Sequence, residues 1–280
     1  MRVHVVTLFP EFFEVPLQTA IPGRAAQAGL VRFELVNPRD FTHDRHRTVD
    51  DYPYGGGAGM ILKAPPLVEA VESIVEPGNP RGVPVVLLSP QGERFTQARA
   101  AAMSRWPELV LVCGRYKAVD ERVRQLVVTH ELSIGDYVLS GGEPAALVVI
   151  DALVRLLPGA LGDEDSAESD SFGPEGGGGL DSAYYTRPAQ YRSLQVPEVL
   201  LSGHHAQIAA WRRQDAFERT RARRPELAGA EPQQSAVRTR RAAGGGPVAE
   251  SRASAAAEGA NAAPAPPETE DELGDEASAE

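Results

Sequence analysis

Cysteine is almost missing from this chain: Cys113 stands alone. A lone thiol cannot form an intrachain disulfide, so a disulfide-stapled scaffold is excluded and a reducing compartment, by default the cytoplasm, is expected. Long apolar runs are missing as well. Nothing approaches the ~18 uninterrupted apolar residues of a membrane span. The N-terminus, Met-Arg-Val-His-Val-Val-Thr-Leu-Phe-Pro-Glu, lacks the basic-then-apolar order of a signal peptide. No internal repeat is present. Two nucleotide fingerprints are also absent. The first apolar strand is not followed by Gly-x-Gly-x-x-Gly, which weighs against a dinucleotide-dependent oxidoreductase. The run Gly55-Gly56-Gly57-Ala58-Gly59 lacks the Gly-Lys-Ser/Thr ending of a P-loop.

What is there begins with ordinary bulk composition. Of the 280 residues, 42% are apolar and 24% charged, as in soluble globular proteins with one sizeable core or two domains. The net charge of −11 is unevenly spread. The last 23 residues, from Glu258, hold eight acidic residues and no basic one, which leaves −3 on residues 1–257. Six arginines lie between Arg212 and Arg224, and Arg39, Arg45 and Arg47 cluster near His43 and His46. Such patches suit phosphate backbones, although exposed arginine-rich helix faces are common without nucleic acid.

Periodicity predicts strands over Val3–Phe9, Val31–Val36, Val83–Leu88 and Leu109–Val112. It predicts helices over Pro65–Val75, Thr96–Arg105 and Val119–Thr129, with Asp120 and Glu121 favouring the last helix's first turn. Alternating strands and helices indicate an α/β domain with a largely parallel sheet. Between Asn37 and Gly59 periodicity disappears, and a polar loop of that length is functional or disordered. His43, Asp44, His46 and Asp50 fall there. Their spacing matches no standard zinc pattern, and hydrogen bonding among histidine, arginine and aspartate is the plainer account. Residues 163–179 are acidic and Ser/Gly-rich and read as a mobile linker. A smaller unit begins near Tyr184, with a helix expected over Ala206–Arg221. From about Gly229 the chain has no aromatics and reads as disordered.

The most informative stretch is Ser133–Gly142, Ser-Ile-Gly-Asp-Tyr-Val-Leu-Ser-Gly-Gly, followed by Glu143 and a strongly apolar helical pattern. On glycine content alone it is a turn between a strand and a helix. Two other glycine-bearing segments, 89–92 and 114–116, follow apolar strands, and parallel sheets gather ligands at the C-terminal ends of their strands. That convergence favours a ligand wall.

The marks that name a family are Thr7-Leu8-Phe9-Pro10, Asn37–Asp51 with Tyr54–Gly59, Leu88–Gly92, Val112–Tyr116 and Asp120-Glu121-Arg122. Further marks are Ser133–Glu143, Asp170-Ser171-Phe172, Tyr185-Thr186-Arg187-Pro188 and Val199–His205. In this order, over residues 1 to about 227, they resemble the bacterial tRNA (guanine-N1)-methyltransferases. Those enzymes belong to the trefoil-knotted (SPOUT) superfamily, modify the guanosine immediately 3′ of the anticodon and so support reading-frame maintenance.

The resemblance implies an α/β fold with a deep C-terminal trefoil knot over residues 1–161 and an acidic linker over 162–182. It also implies a small helical tRNA-binding domain over 183–228, while the tail at 229–280 reads as disordered from its composition. It implies a homodimer with active sites between subunits and S-adenosyl-L-methionine bound in the knot. The matching positions are Gly114, Ile134, Gly135, Asp136, Tyr137, Val138 and Leu139, with Leu88, Pro90, Tyr116, Gly141 and Gly142 as further walls. By the same resemblance Asp170 is the general base for guanine N1 and Arg155 stabilises charge on O6. Asp163, Glu164, Asp165 and Glu168 would raise the basicity of Asp170. Thr186, Arg187, His204 and the arginine patch would grip the anticodon arm. The family is associated with Mg2+, for which the sequence offers no ligand set. Lys117 stands where an acidic residue is commoner, Pro144 follows Glu143 where Leu-Pro is commoner, and the usual final helical segment is replaced by the tail. The alternatives are a catalytically silent RNA-binding protein on the same fold and the oxidoreductase already disfavoured.

Overall fold

A computed structural model describes residues 1–162, 169–173 and 177–228 of the chain. Its centre is a five-stranded sheet built from β1 (Arg2–Val6), β2 (Arg32–Val36), β5 (Val85–Arg94), β6 (Glu108–Cys113) and β8 (His130–Ser133). The spatial order is β2-β1-β6-β5-β8, and every neighbouring pair is parallel. The expected α/β class with a largely parallel sheet is thus observed.

The interior strands are apolar on both faces because both faces are covered. Along β5, Val86 and Leu88 enter one core while Val85 and Leu87 enter the other. Along β6, Leu109, Leu111 and Cys113 alternate with Val110 and Val112 in the same way. On the first face lie α1 (Glu11–Glu14), α2 (Ala20–Gln27), α4 (Gln97–Met103) and α6 (Glu143–Val154). On the second lie α3 (Ala64–Val75) and α5 (Glu121–Leu126). Helix α6 buries Ala145, Ala146, Val149, Ile150, Leu153 and Val154. Each fully buried Val, Ile or Leu contributes about 1.5–3 kcal/mol, which fixes this helix firmly behind the sheet.

Smaller elements complete the described chain. β3 (Asp50–Asp51), β4 (Ile61–Leu62) and β7 (Ala118–Val119) form a short second sheet, and β9 (Gln190–Tyr191) pairs with β10 (Leu194–Gln195). Then come α7 (Glu198–Leu201) and α8 (His205–Arg223). The backbone N–H groups of Leu180 and Ala183 donate to Thr220 Oγ1 (2.8 Å) and Asp215 Oδ2 (2.6 Å), which ties the chain before β9 to α8. Among the described residues, no helix is long and apolar enough to cross a membrane.

Several boundaries differ from expectation. β1 stops at Val6, because Thr7 turns its hydroxyl to Glu143 and to the N–H of Phe9. β5 runs past Leu88 to Arg94, so Ser89–Gly92 is not the loop that ends it. The register against β8 instead shifts between Leu88 and Glu93, both of which face Leu132, and the residues between bulge outward. The helix expected over Val119–Thr129 is shorter, since Val119 belongs to β7 and Asp120 caps the helix by accepting from Arg122 N. β8 was not expected as a strand, because His-Glu-Leu-Ser carries no apolar run. The expected tail, 229–280, and the acids Asp163, Glu164, Asp165 and Glu168 lie outside the described residues.

Candidate active site

A cavity opens at the C-terminal ends of β5, β6 and β8, where parallel strands place their ligands. Three segments wall it: the bulge after Leu88, the run from Gly114 to Val119, and the loop from Ser133 to Gly142. Of the positions marked by resemblance, Leu88, Pro90, Gly114, Tyr116, Ile134, Gly135, Tyr137, Val138, Leu139, Gly141 and Gly142 all line it. Asp136 does not; its side chain is exposed beside the cavity wall.

The loop is shaped by its own hydrogen bonds. Ser133 Oγ donates to Gly135 O (3.1 Å), Tyr137 N donates to Gly135 O (3.0 Å), and the Tyr137 hydroxyl donates to Ile134 O (3.1 Å). At its far end Gly142 N donates to Gly114 O (2.8 Å), and Gly141 forms an antiparallel bridge with Arg115. A Cβ on Gly142 would stand 2.7 Å from Cys113 Cα and 2.9 Å from Gly114 N, so the two segments meet as bare backbone. The result is a mostly apolar cleft edged by peptide groups, a composition that suits a flat, partly polar ligand such as an adenosine. The residues present therefore fit S-adenosyl-L-methionine.

Behind the cavity is a charged group that sequence reasoning assigned no role. Glu143 begins α6 and is 0% exposed. It accepts from Thr7 Oγ1 (2.9 Å) and from Arg115 Nε (3.0 Å), and the Arg115 guanidinium lies 4.3 Å from the centre of the Phe9 ring. A signal existed in the sequence: a carboxylate opening a mostly apolar helix must find a cation or hydroxyl when buried. Cys113 lies beneath the same segment. Burial, with the nearby Glu143 carboxylate, pushes its thiol well above the ordinary value, so it stays protonated and is no nucleophile.

Arg155 and Asp170 meet elsewhere. Arg155 caps the C-terminal end of α6, and its Nη2 donates to Asp170 Oδ2 at 2.6 Å. Both side chains are partly open to solvent, and neither lines the cavity. The cavity touches the N-terminal end of the same helix at Ala145. Twelve helical residues span about 18 Å at 1.5 Å each. Within one chain, the pair and the cavity are therefore a helix length apart.

A second hollow lies among Tyr184, Tyr185, Thr186, Arg187, Val196, Leu200, Leu201, Ile208 and Arg212. Arg212 sits over the Tyr184 ring at 5.8 Å, and Tyr185 packs near Trp211 at 6.4 Å. On α8 Arg219 pairs with Asp215. His204 precedes this helix and is exposed. In the Asn37–Gly59 loop, His43 pairs with Glu69 at 3.1 Å, and Asp44 accepts from the N–H groups of His46 and Thr48. Among the described residues, no group of three or more His, Cys, Asp or Glu is placed to hold a metal ion.

Comparison with known proteins shows the family. The family model described as tRNA (Guanine-1)-methyltransferase TrmD matches residues 1–230. A tRNA (guanine-N(1)-)-methyltransferase of Dehalococcoides mccartyi is 53% identical over 227 residues, covering 81% of this chain and 90% of the relative. Proteins of the same name from Gloeobacter violaceus and Bordetella pertussis are 54% and 53% identical over 230 residues. They cover 81% of this chain and 98% and 90% of their own lengths. The chain belongs to the tRNA (guanine-1)-methyltransferase family.

Proposed function

We propose that this protein transfers a methyl group from S-adenosyl-L-methionine to N1 of the guanosine immediately 3′ of the tRNA anticodon, in the cytoplasm. The observation that carries this reading is the family match across residues 1–230. The strand-end cavity supports it, because the residues marked for the donor converge there with the exception of Asp136. When bound, S-adenosyl-L-methionine supplies an electrophilic methyl group on a sulfonium. The chain's own residues do the rest. The peptide groups of the Ser133–Gly142 loop and of Gly114 would hold the adenosine, with Leu88, Ile134 and Leu139 as apolar walls. Asp170 takes the proton from guanine N1, which is a poor nucleophile while protonated. Arg155, released from Asp170 as the substrate enters, donates to O6, where charge develops once N1 is deprotonated.

Because the Arg155–Asp170 pair and the cavity lie about a helix length apart, this reading joins the cavity of one subunit to the pair of another in a homodimer. The family match supports reading the chain as a trefoil-knotted catalytic part, a linker and a tRNA-binding part over residues 183–228. The arginines of α8 and the Tyr184–Arg187 hollow support contact with the phosphates and bases of the anticodon arm.

The test is methyl transfer from labelled donor to unmodified tRNA with guanosine beside the anticodon. Asp170→Ala is expected to lower turnover by about 10²–10⁴-fold, the usual share of a general base, with donor affinity by calorimetry nearly unchanged. A tRNA that stays unlabelled with the unaltered protein sinks the enzyme reading and leaves a silent RNA-binding protein. Equal loss of turnover and donor affinity in the variant removes Asp170 from the role of base.

A further inference from the structure

We infer that Glu143, acting through Arg115, is a positioning residue that sets the donor-binding loop. This inference rests on the reading of the strand-end cavity as the donor site. Loop residues Tyr137 and Val138 are 54% and 87% exposed, so their own packing does little to hold the wall they form. Its position depends on how its two ends are anchored. One end leaves β8 through the Ser133–Gly135 hydrogen bonds. The other end is held by the pair of Arg115 and the buried Glu143.

The Arg115 guanidinium bridges two partners. Nε donates to Glu143 Oε2 at 3.0 Å, and Nη1 reaches Ser140 O at 3.4 Å. Gly141 passes directly against the pair: a Cβ there would lie 2.4 Å from both Arg115 Nε and Glu143 Oε2. Glu143 is in turn fixed by Thr7 from the end of β1, and Phe9 covers the guanidinium. A charge-assisted bond to a fully buried carboxylate is strong and directional. Exchanging a buried ion pair as a whole for apolar side chains is often neutral for stability, so stability alone does not account for this pair. Here the pair joins three distant segments of chain at the edge of the cavity. Glu143 and Thr7 do not line that cavity, so any effect they have on the donor runs through the loop.

The experiment measures donor binding by calorimetry and steady-state kinetics on full-length protein well below its melting temperature. Glu143→Gln keeps the shape and a hydrogen bond to Thr7 but removes the charge that holds Arg115. It is expected to raise the KM and Kd for S-adenosyl-L-methionine about tenfold, the scale of one lost charge-assisted bond. At saturating donor, kcat and the KM for tRNA stay within about threefold. Should this variant fail to fold, Thr7→Val, which keeps the side-chain shape and loses the hydroxyl, is expected to raise the donor KM about threefold, and Thr7→Ser to restore it. A variant that melts earlier yet keeps the donor KM of the unaltered protein overturns the inference and leaves the pair a stability element. Equal damage to the KM for tRNA overturns it as well. If the unaltered protein itself binds no donor, the reading of the cavity fails instead.

Discussion

At the scale of single residues, Glu108 carries the charge at the start of the sheet's central strand. It lies 2.9 Å from His4 Nε2 and accepts from Arg81 Nη1 at 2.7 Å. Burial would push its carboxyl up, but the His4 hydrogen bond and the Arg81 guanidinium outweigh burial and hold it below the ordinary glutamate value. A carboxylate lowered in the folded state adds stability above its unfolded pKa and loses it as pH falls through the folded one. Glu108→Gln is therefore expected to be less stable by about 1–3 kcal/mol near neutrality, with the gap closing below the usual glutamate range, about pH 4.3. Urea unfolding at stepped pH measures this, and a gap that stays constant with pH refutes it. Residue roles were unevenly legible in the sequence. Glycines and apolar walls of the cavity stand together in short runs and could be read. Glu143 gains its meaning from Thr7 and Arg115, which lie far away in the chain, and Asp136 sits inside the right run yet does not line the cavity.

At the scale of elements, the bulge in β5 decides where the cavity floor lies. Gly92 is pressed against the neighbouring strand: a Cβ would stand 2.4 Å from Glu131 C and Leu132 N, both backbone atoms that cannot swing aside. Gly92→Ala is expected to cost about 1–3 kcal/mol by overpacking. It should also weaken donor binding, because Leu88 to Gln91 must shift with the strand. Thermal unfolding and calorimetry check both, and an unchanged melting temperature with full donor affinity contradicts the account. Apolar strands such as β6 were legible because burial on both faces leaves an unbroken run of Leu and Val. β8 was hidden, since only Leu132 and Ser133 of its four residues are buried. Ser-Pro-Gln-Gly looked like the punctuation after a strand and is a bulge within one, where Pro90 needs no ladder partner.

At the scale of the whole molecule, the length of α6 keeps the Arg155–Asp170 pair away from the cavity of its own chain. If active sites are shared between two copies, Asp170→Ala and Gly142→Val, each inactive alone, should complement when co-expressed. Half of the dimers would be mixed, each with one intact site, so activity returns to about a quarter of normal. No recovery would place the whole site within one chain. The strand order has another consequence. β1 pairs with β2 soon after both are made, but its other edge waits for β6, where Val6 meets Val112, roughly a hundred residues later. At about 5–20 residues per second of synthesis, that edge stays open for on the order of 5–20 s. Thr7 must then wait longer still for Glu143. The strand-end cavity is thus among the last parts of the sheet domain to form, and a ligand in it cannot stabilise the nascent chain before α6 has been made.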